Sequence, residues 1–248
     1  MNSPGDRLIF YGEVMIMSGI INYDTMEISE DMQYEGVTVL SYQINYPQFH
    51  SKAHNRTANR VNQFYRGKAL LLQNSLRNNL FRKAVDRYLL DKEEGFPLLP
   101  FEALQTFEVT YNKDCIISLY FDNYQYTGGA HGVTPRNSQT WNLKTGKMMT
   151  LKELFRCTTD FGPYFKHKII EQIAEDPEFY FDDYRELVEK TFDPDNFYCT
   201  PEGIMVYFQQ YDIAPYSSGI REFLFPYNKC IDNPSTKCEG QAARNFFH

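Results

Sequence analysis

The chain has 248 residues, of which 42% are hydrophobic and 23% charged, a globular balance that excludes a disordered polymer. Its formal net charge of −7 and pI near 5.3 disfavour whole-chain affinity for nucleic acid or an anionic membrane, so no nucleic-acid partner is expected. Aromatic residues reach 16%, with 19 Tyr and 20 Phe against a single Trp, which suits strand-rich cores and recognition surfaces alike.

The first 24 residues carry no basic leader, and Glu13 and Ser18 interrupt their short apolar runs. Nothing approaches the roughly 18 apolar residues that a spanning helix needs, so a cytoplasmic location is the expectation. Residues 36–46, "GVTVLSYQINY", alternate with period two and predict a strand whose apolar face carries Thr38, Leu40, Tyr42, Ile44 and Tyr46. Pro47 is expected to end it. From Asn55 to Asp91 the period becomes helical: Val61, Tyr65, Leu72, Leu76 and Leu80 share one face, and Asn62, Arg66, Gln73 and Arg77 another. One long helix, or two joined near Asn78-Asn79, should result.

"PLLP", Pro97 to Pro100, punctuates the chain and divides it into two expected subdomains, residues 1–100 and 101–248. Residues 105–111 and 115–126 read as strands paired around "NKD", and "SQTWNLKTGKMMTL" as a hairpin turning at Lys144 to Gly146. Thr150 is a good N-cap for a short helix, with Glu153 at the capping-box position. Residues 160–191 are helical in pattern, broken by Pro177. A hairpin turning at Pro201 to Gly203 and a last strand, "REFLFPY", follow; the tail after Lys229 looks irregular. Strands and helices in blocks predict an α+β fold, with antiparallel sheets packed against a long amphipathic helix and shorter helices, in two intimately packed subdomains.

Chemistry-bearing patterns are sparse. Five cysteines, at 115, 157, 199, 230 and 238, match no zinc spacing; Cys230 and Cys238 could pair across a loop, and the others are expected reduced and buried. His50 and His54 stand four apart, but Ser51 occupies the position where a zinc protease motif needs Glu. "DPDN", Asp193 to Asn196, begins like a calcium loop and then fails at Phe197 and Tyr198. No metal or cofactor is expected. A basic run from Lys52 to Arg87 and an acidic one from Glu171 to Asp195 read as solvated faces.

Taken in order, "YTGGAHG", "WNLKTGKMMTLKELF" and "GIMVYFQQYDIAPYSSGIREFLFPY" resemble the extracellular region of the RsiV family of anti-sigma factors and the matching accessory domains of the deacetylase PdaC. "INYPQF" and the long helix after it resemble the first of the two domains of unknown function in such proteins, so the likeness spans residues 35–228. The resemblance implies protein recognition, since the family binds lysozyme through this region, and its relatives are extracellular. Ahead of Tyr42 stand neither a sigma-binding segment nor a membrane span, and no deacetylase domain fits, so signalling and deacetylation do not carry over.

The candidate site therefore lies in two loops. "YTGGAHG" contributes Tyr126, Thr127, Gly128, Gly129 and His131; "YDIAPYSSG" contributes Asp212, Pro215, Tyr216 and Ser217. The loops are expected side by side, with Tyr126 and Tyr216 as anchors and His131 shaping its loop, because no G-x-S-x-G elbow accompanies it. The expected function is non-catalytic protein binding, with a lysozyme-like partner in view. The rivals are a glycan or peptidoglycan module using Tyr and Trp141 rings as platforms, and a hydrolase centred on His131.

Overall fold

Two leading strands, β1 (Asn22–Tyr34) and β2 (Val37–His50), form an antiparallel hairpin in the computed structural model, which describes residues 20–238. Glu35 and Gly36 turn it with φ of 50° and 79°, the paired positive values that match hairpin twist. β1 carries acids on its outward residues, the usual protection of an edge strand. Pro47 does not end β2, which runs to His50. β3 pairs with β2 only from Leu40 to Ile44, so beyond that point one side of β2 is unpaired and tolerates a residue without an N–H.

The predicted helix is continuous, with a defect where the sequence reading set its joint. α1 (Asn55–Ser75) passes through one π-helical turn, Leu76–Leu80, into α2 (Phe81–Glu94). Inserting the wider turn re-phases the helix, so Leu76, Leu80, Ala84 and Tyr88 all stay buried over the sheet. Gly95, at φ 74°, closes it in the left-handed conformation.

β3 (Phe101–Lys113), β4 (Ile116–Tyr126), β5 (Arg136–Asn142) and β6 (Lys147–Met148) complete a six-stranded sheet in sequential order. The expectation of wholly antiparallel sheets needs one correction: β2 and β3 are parallel, because α1–α2 is the crossover between them. The α+β class itself holds. One apolar cluster under the helix gathers Leu40, Ile44, Leu76 and Leu80; its neighbour gathers Phe49, Tyr65, Leu119, Phe121 and Trp141. Trp141 is 7% exposed and its indole N–H donates to Tyr65 Oη at 2.7 Å, so it is a core residue and no sugar platform.

Thr150 caps a 3-10 turn, Leu151–Leu154, through the expected reciprocal bonds with Glu153. α3 (Phe161–Glu175) and α4 (Tyr184–Thr191) flank a 3-10 turn at Pro177–Phe179. They pack on a second, antiparallel sheet of β7 (Phe197–Cys199), β8 (Gly203–Phe208) and β9 (Arg221–Pro226), around Phe165, Ile169, Ile173, Val188 and Phe225. β7 abuts the large sheet: Thr110 Oγ1 donates to Cys199 O at 2.7 Å, and Cys199 N to Ser118 Oγ at 2.9 Å.

The cysteine expectation holds for Cys199, which is free and buried, and fails for the rest: Cys115 bonds Cys238 and Cys157 bonds Cys230. The final segment runs as a strap, with Phe155 bridged to Ile231 and Asp232 N donating to Leu154 O, which seats Cys230 beside Cys157 and leaves Cys238 at the β3–β4 turn. The N-terminal stretch bearing Glu13 and Ser18 lies outside the described residues. Among those described, no helix is long and apolar enough to cross a membrane.

Leu76, 6% exposed at the start of the π turn, tests this core. Leu76→Ala should lower the unfolding free energy by about 2–5 kcal/mol in urea titration; a change below about 0.5 kcal/mol would mean the face assignment is wrong.

Candidate functional site

The first loop leaves β4 at Tyr126 and rejoins β5 at Arg136. Gly128 and Gly129 take φ of 88° and 97°, a conformation that costs other residues strain, and Tyr126 Oη donates to Gly129 O at 3.1 Å across the bend. Gly132 answers a different need. A Cβ there would lie 2.4 Å from the Tyr124 ring and 2.7 Å from Gln125 O, so only glycine lets the loop fold back on β4, where Val133 and Gln125 exchange backbone bonds at 2.9 Å.

The second loop joins β8 to β9. Asp212 is its turn maker: its Oδ2 accepts the Gln209 N–H at 2.8 Å, and burial pushes its carboxyl above the usual carboxylate range. Tyr211, just before it, sits at φ 70°, which is uncommon for a bulky residue. Pro215 and Ser217 are exposed, and Tyr216 opens a short 3-10 turn.

Two glutamines fix the loops to one another. Gln210 Oε1 accepts the Thr134 N–H at 2.9 Å, and Gln209 makes a reciprocal pair with the Arg136 backbone, accepting at 2.9 Å and donating at 2.7 Å. The imidazole of His131 then stacks on the Tyr216 ring, centroids 3.7 Å apart and planes at 17°. Tyr216 Oη donates to Gly132 O at 3.0 Å; His131 Nδ1 lies 2.9 Å from the same oxygen and, as its donor, leaves the Nε2 lone pair facing Tyr211 Oη at 3.5 Å. Tyr211 completes the row, 5.7 Å from Tyr216. Two further exposed apolar residues sit on segments tied to these loops. Val133, 51% exposed, precedes Thr134, which Gln210 holds; Tyr211 is 53% exposed; and Phe179, at 48%, is held by Ser218 Oγ donating to its carbonyl at 3.1 Å.

The geometry thus joins His131 and Tyr216 across the loops. Tyr126, Thr127, Gly128 and Gly129 stay within their own loop, and Asp212 points back at Gln209. Sequence reasoning missed Tyr211, Val133, Phe179 and the two glutamines. The "QQ" directly after an apolar strand was a readable signal; the left-handed Tyr211 left none. Chemically, the row can stack, bury apolar surface and exchange hydrogen bonds. His131 is oriented by a carbonyl oxygen, and it has no carboxylate within hydrogen-bond distance among the described residues.

Elsewhere, His50 Nε2 meets Asp24 Oδ2 at 2.9 Å and Asp193 Oδ1 accepts Asp195 N at 2.9 Å, which makes the "DPDN" stretch a turn. Among the described residues no three His, Cys, Asp or Glu converge as a metal site.

Residues 35–134 match the family model described as deacetylase PdaC, and residues 152–228 match that of a protein family of unknown function, DUF3298. The resemblance drawn from the sequence motifs is borne out by this pair. The fold is similar to the crystal structure of a DUF3298 family member from Bacteroides fragilis: TM-score 0.63, 19% identity, 87% of this chain and 95% of that one covered. It is also similar to that of a DUF3298 family protein from Pseudomonas aeruginosa, with TM-score 0.50 and 17% identity over 84% and 90% of the two chains. No significant match to a curated protein was found. The first loop closes one matched region and the second lies inside the other, so the His131–Tyr216 stack bridges them.

Gly132→Ala should cost about 1–3 kcal/mol by overpacking against Tyr124. Thermal unfolding against wild type decides; an unchanged midpoint would remove close approach as the reason for glycine.

Proposed function

We propose that this chain, a PdaC-type region followed by a DUF3298 region, is a non-catalytic recognition module that binds a protein through its two joined loops. The observation that carries this reading is the pre-built row His131–Tyr216–Tyr211. The loops that carry its rings are joined by glutamine-to-backbone bonds, and Tyr216 is tied to Gly132 O, before any partner arrives, so little ordering entropy is lost on binding. Exposed Val133, Tyr211 and Phe179 supply the aromatic and apolar anchors that dominate protein interfaces.

The partner favoured is a basic protein of lysozyme type. Supporting this, Glu175, Asp176, Glu178, Asp182, Asp183 and Glu186 flank Phe179 in sequence, all exposed and none in an ion pair among the described residues. The family resemblance points the same way. A glycan platform is less favoured because Trp141 is buried, and a hydrolase because the His131 ring already serves its own loop. Two disulfides support work in an oxidising compartment rather than the cytosol expected from the leading residues.

Biolayer interferometry with immobilised lysozyme tests the reading. Tyr211→Ala combined with Phe179→Ala should weaken binding by about 2 kcal/mol or more, roughly thirtyfold in Kd, while the melting temperature stays within a few degrees. Wild-type affinity in the folded variant, or no binding by the wild type, would sink it.

A further inference from the structure

Away from the loops, the seam between α1 and the strands β3–β5 opens into a cleft of about 460 Å³. Phe64 and Lys68 form part of the helical wall; Gln105, Asn123, Asn137 and Gln139 line the sheet side. Gln105 stands opposite Asn123, Asn137 opposite Phe121, and Gln139 opposite Leu119, so the four carboxamides form a grid. Gln125 extends it along the seam. No Asp or Glu lines this cleft. Lys68 is its one charge, exposed, without an ion-pair partner among the described residues, and 5.6 Å from the Phe64 ring centre.

On the same sheet face, where the helix does cover the strands, the residues are Ile117, Leu119 and Phe121. The carboxamides begin where that cover ends, and their hydrogen-bonding capacity is only partly used. Gln105 Nε2 donates to Asn45 O at 3.0 Å, Tyr65 Oη to Gln139 Oε1 at 3.3 Å, and Gln139 Nε2 to Asn137 Oδ1 at 3.2 Å. Asn123 Nδ2 reaches Pro135 O only at 3.4 Å. Gln105 Oε1, Asn123 Oδ1 and Asn137 Nδ2 have no protein partner among the described residues.

We propose that this cleft binds an extended peptide segment carrying an acidic group opposite Lys68. A carboxamide is the same chemical group as a peptide unit, so it pairs with a backbone N–H and C=O whatever the side chains. Asn123 and Gln125, like Asn137 and Gln139, are two residues apart on their strands, about 6.6–6.8 Å, which is the two-residue repeat of an extended chain. A strand-like peptide along the seam therefore meets a carboxamide at every second residue. Its apolar side chains would lie against Phe64 and Leu72, and one carboxylate would reach Lys68 without meeting a like charge. A saccharide fits less well, because Tyr65 and Phe121 are buried and offer no open ring face. The site is separate from the two-loop patch and does not depend on it.

The test uses the whole chain and a peptide labelled at its N-terminus, fluorescein-Gly-Gly-Thr-Val-Thr-Glu-Val-Thr-amide, followed by fluorescence anisotropy. Saturable binding is expected, with affinity at least tenfold weaker in Asn123→Leu/Asn137→Leu and at least threefold weaker in Lys68→Glu, both folded by their melting curves. N-methylation of alternate backbone amides should abolish binding, and Tyr211→Ala should leave it unchanged. No anisotropy change at millimolar protein, equal binding of the methylated peptide, unaltered Kd in either folded variant, or displacement by chitotetraose would each overturn the proposal.

Discussion

One guanidinium holds the two sheets in register. Arg136 is the first residue of β5, its side chain 10% exposed, with Nε and Nη2 on the Asp122 carboxylate at 2.7 Å each and Nη1 on Glu222 of β9 at 2.5 Å. It lies 3.7 Å above the Tyr120 ring. Isolating such a charge from water is costly unless every donor is met, so its worth is in geometry more than in net stability. The planar fork admits one arrangement of Asp122 and Glu222, and hence one placement of β9 against β4. Tyr198 Oη donates to Glu222 at 2.6 Å; burial, then that bond, holds its hydroxyl well above the ordinary phenol range, so it stays a neutral donor.

The loops inherit this placement. The Arg136 backbone takes the Gln209 pair while its side chain takes the carboxylates, so one residue couples inter-sheet position to loop position. The His131–Tyr216 contact needs both loops placed to within a fraction of an ångström, which mobile segments alone would not achieve. Loops fixed by a rigid scaffold are where proteins commonly carry their functional side chains.

Local signals were the legible part of the sequence. The period of Val61, Tyr65, Leu76 and Leu80 gave a helix, the alternation of Leu40, Tyr42 and Ile44 a strand, and Thr150 with Glu153 a cap, because each is set by neighbours within a few residues. The same held for the two loops: glycine density and Pro215 marked them as shaped turns. What stayed hidden depends on distant partners. β1 carries acids between its apolar residues because it is an edge, and only the sheet order reveals that. Pro47 is tolerated because β3 stops short of it. Cysteines separated by 123 and 73 residues pair by fold, not by spacing. Tyr211 joins the site through a backbone angle that its identity opposes.

The strap that ends at Cys238 also changes the topology of the polymer. The Cys115–Cys238 bond closes a covalent ring that contains both joined loops, and Cys157–Cys230 divides that ring in two. Cleavage of a single peptide bond in either exposed loop would open the ring without releasing a fragment. Scaffold and patch would remain one molecule, held by packing on every side and by sulfur at the ends. Surroundings rich in proteases tolerate exposed glycine loops poorly; within a closed ring, a nick costs the chain its continuity but not its parts.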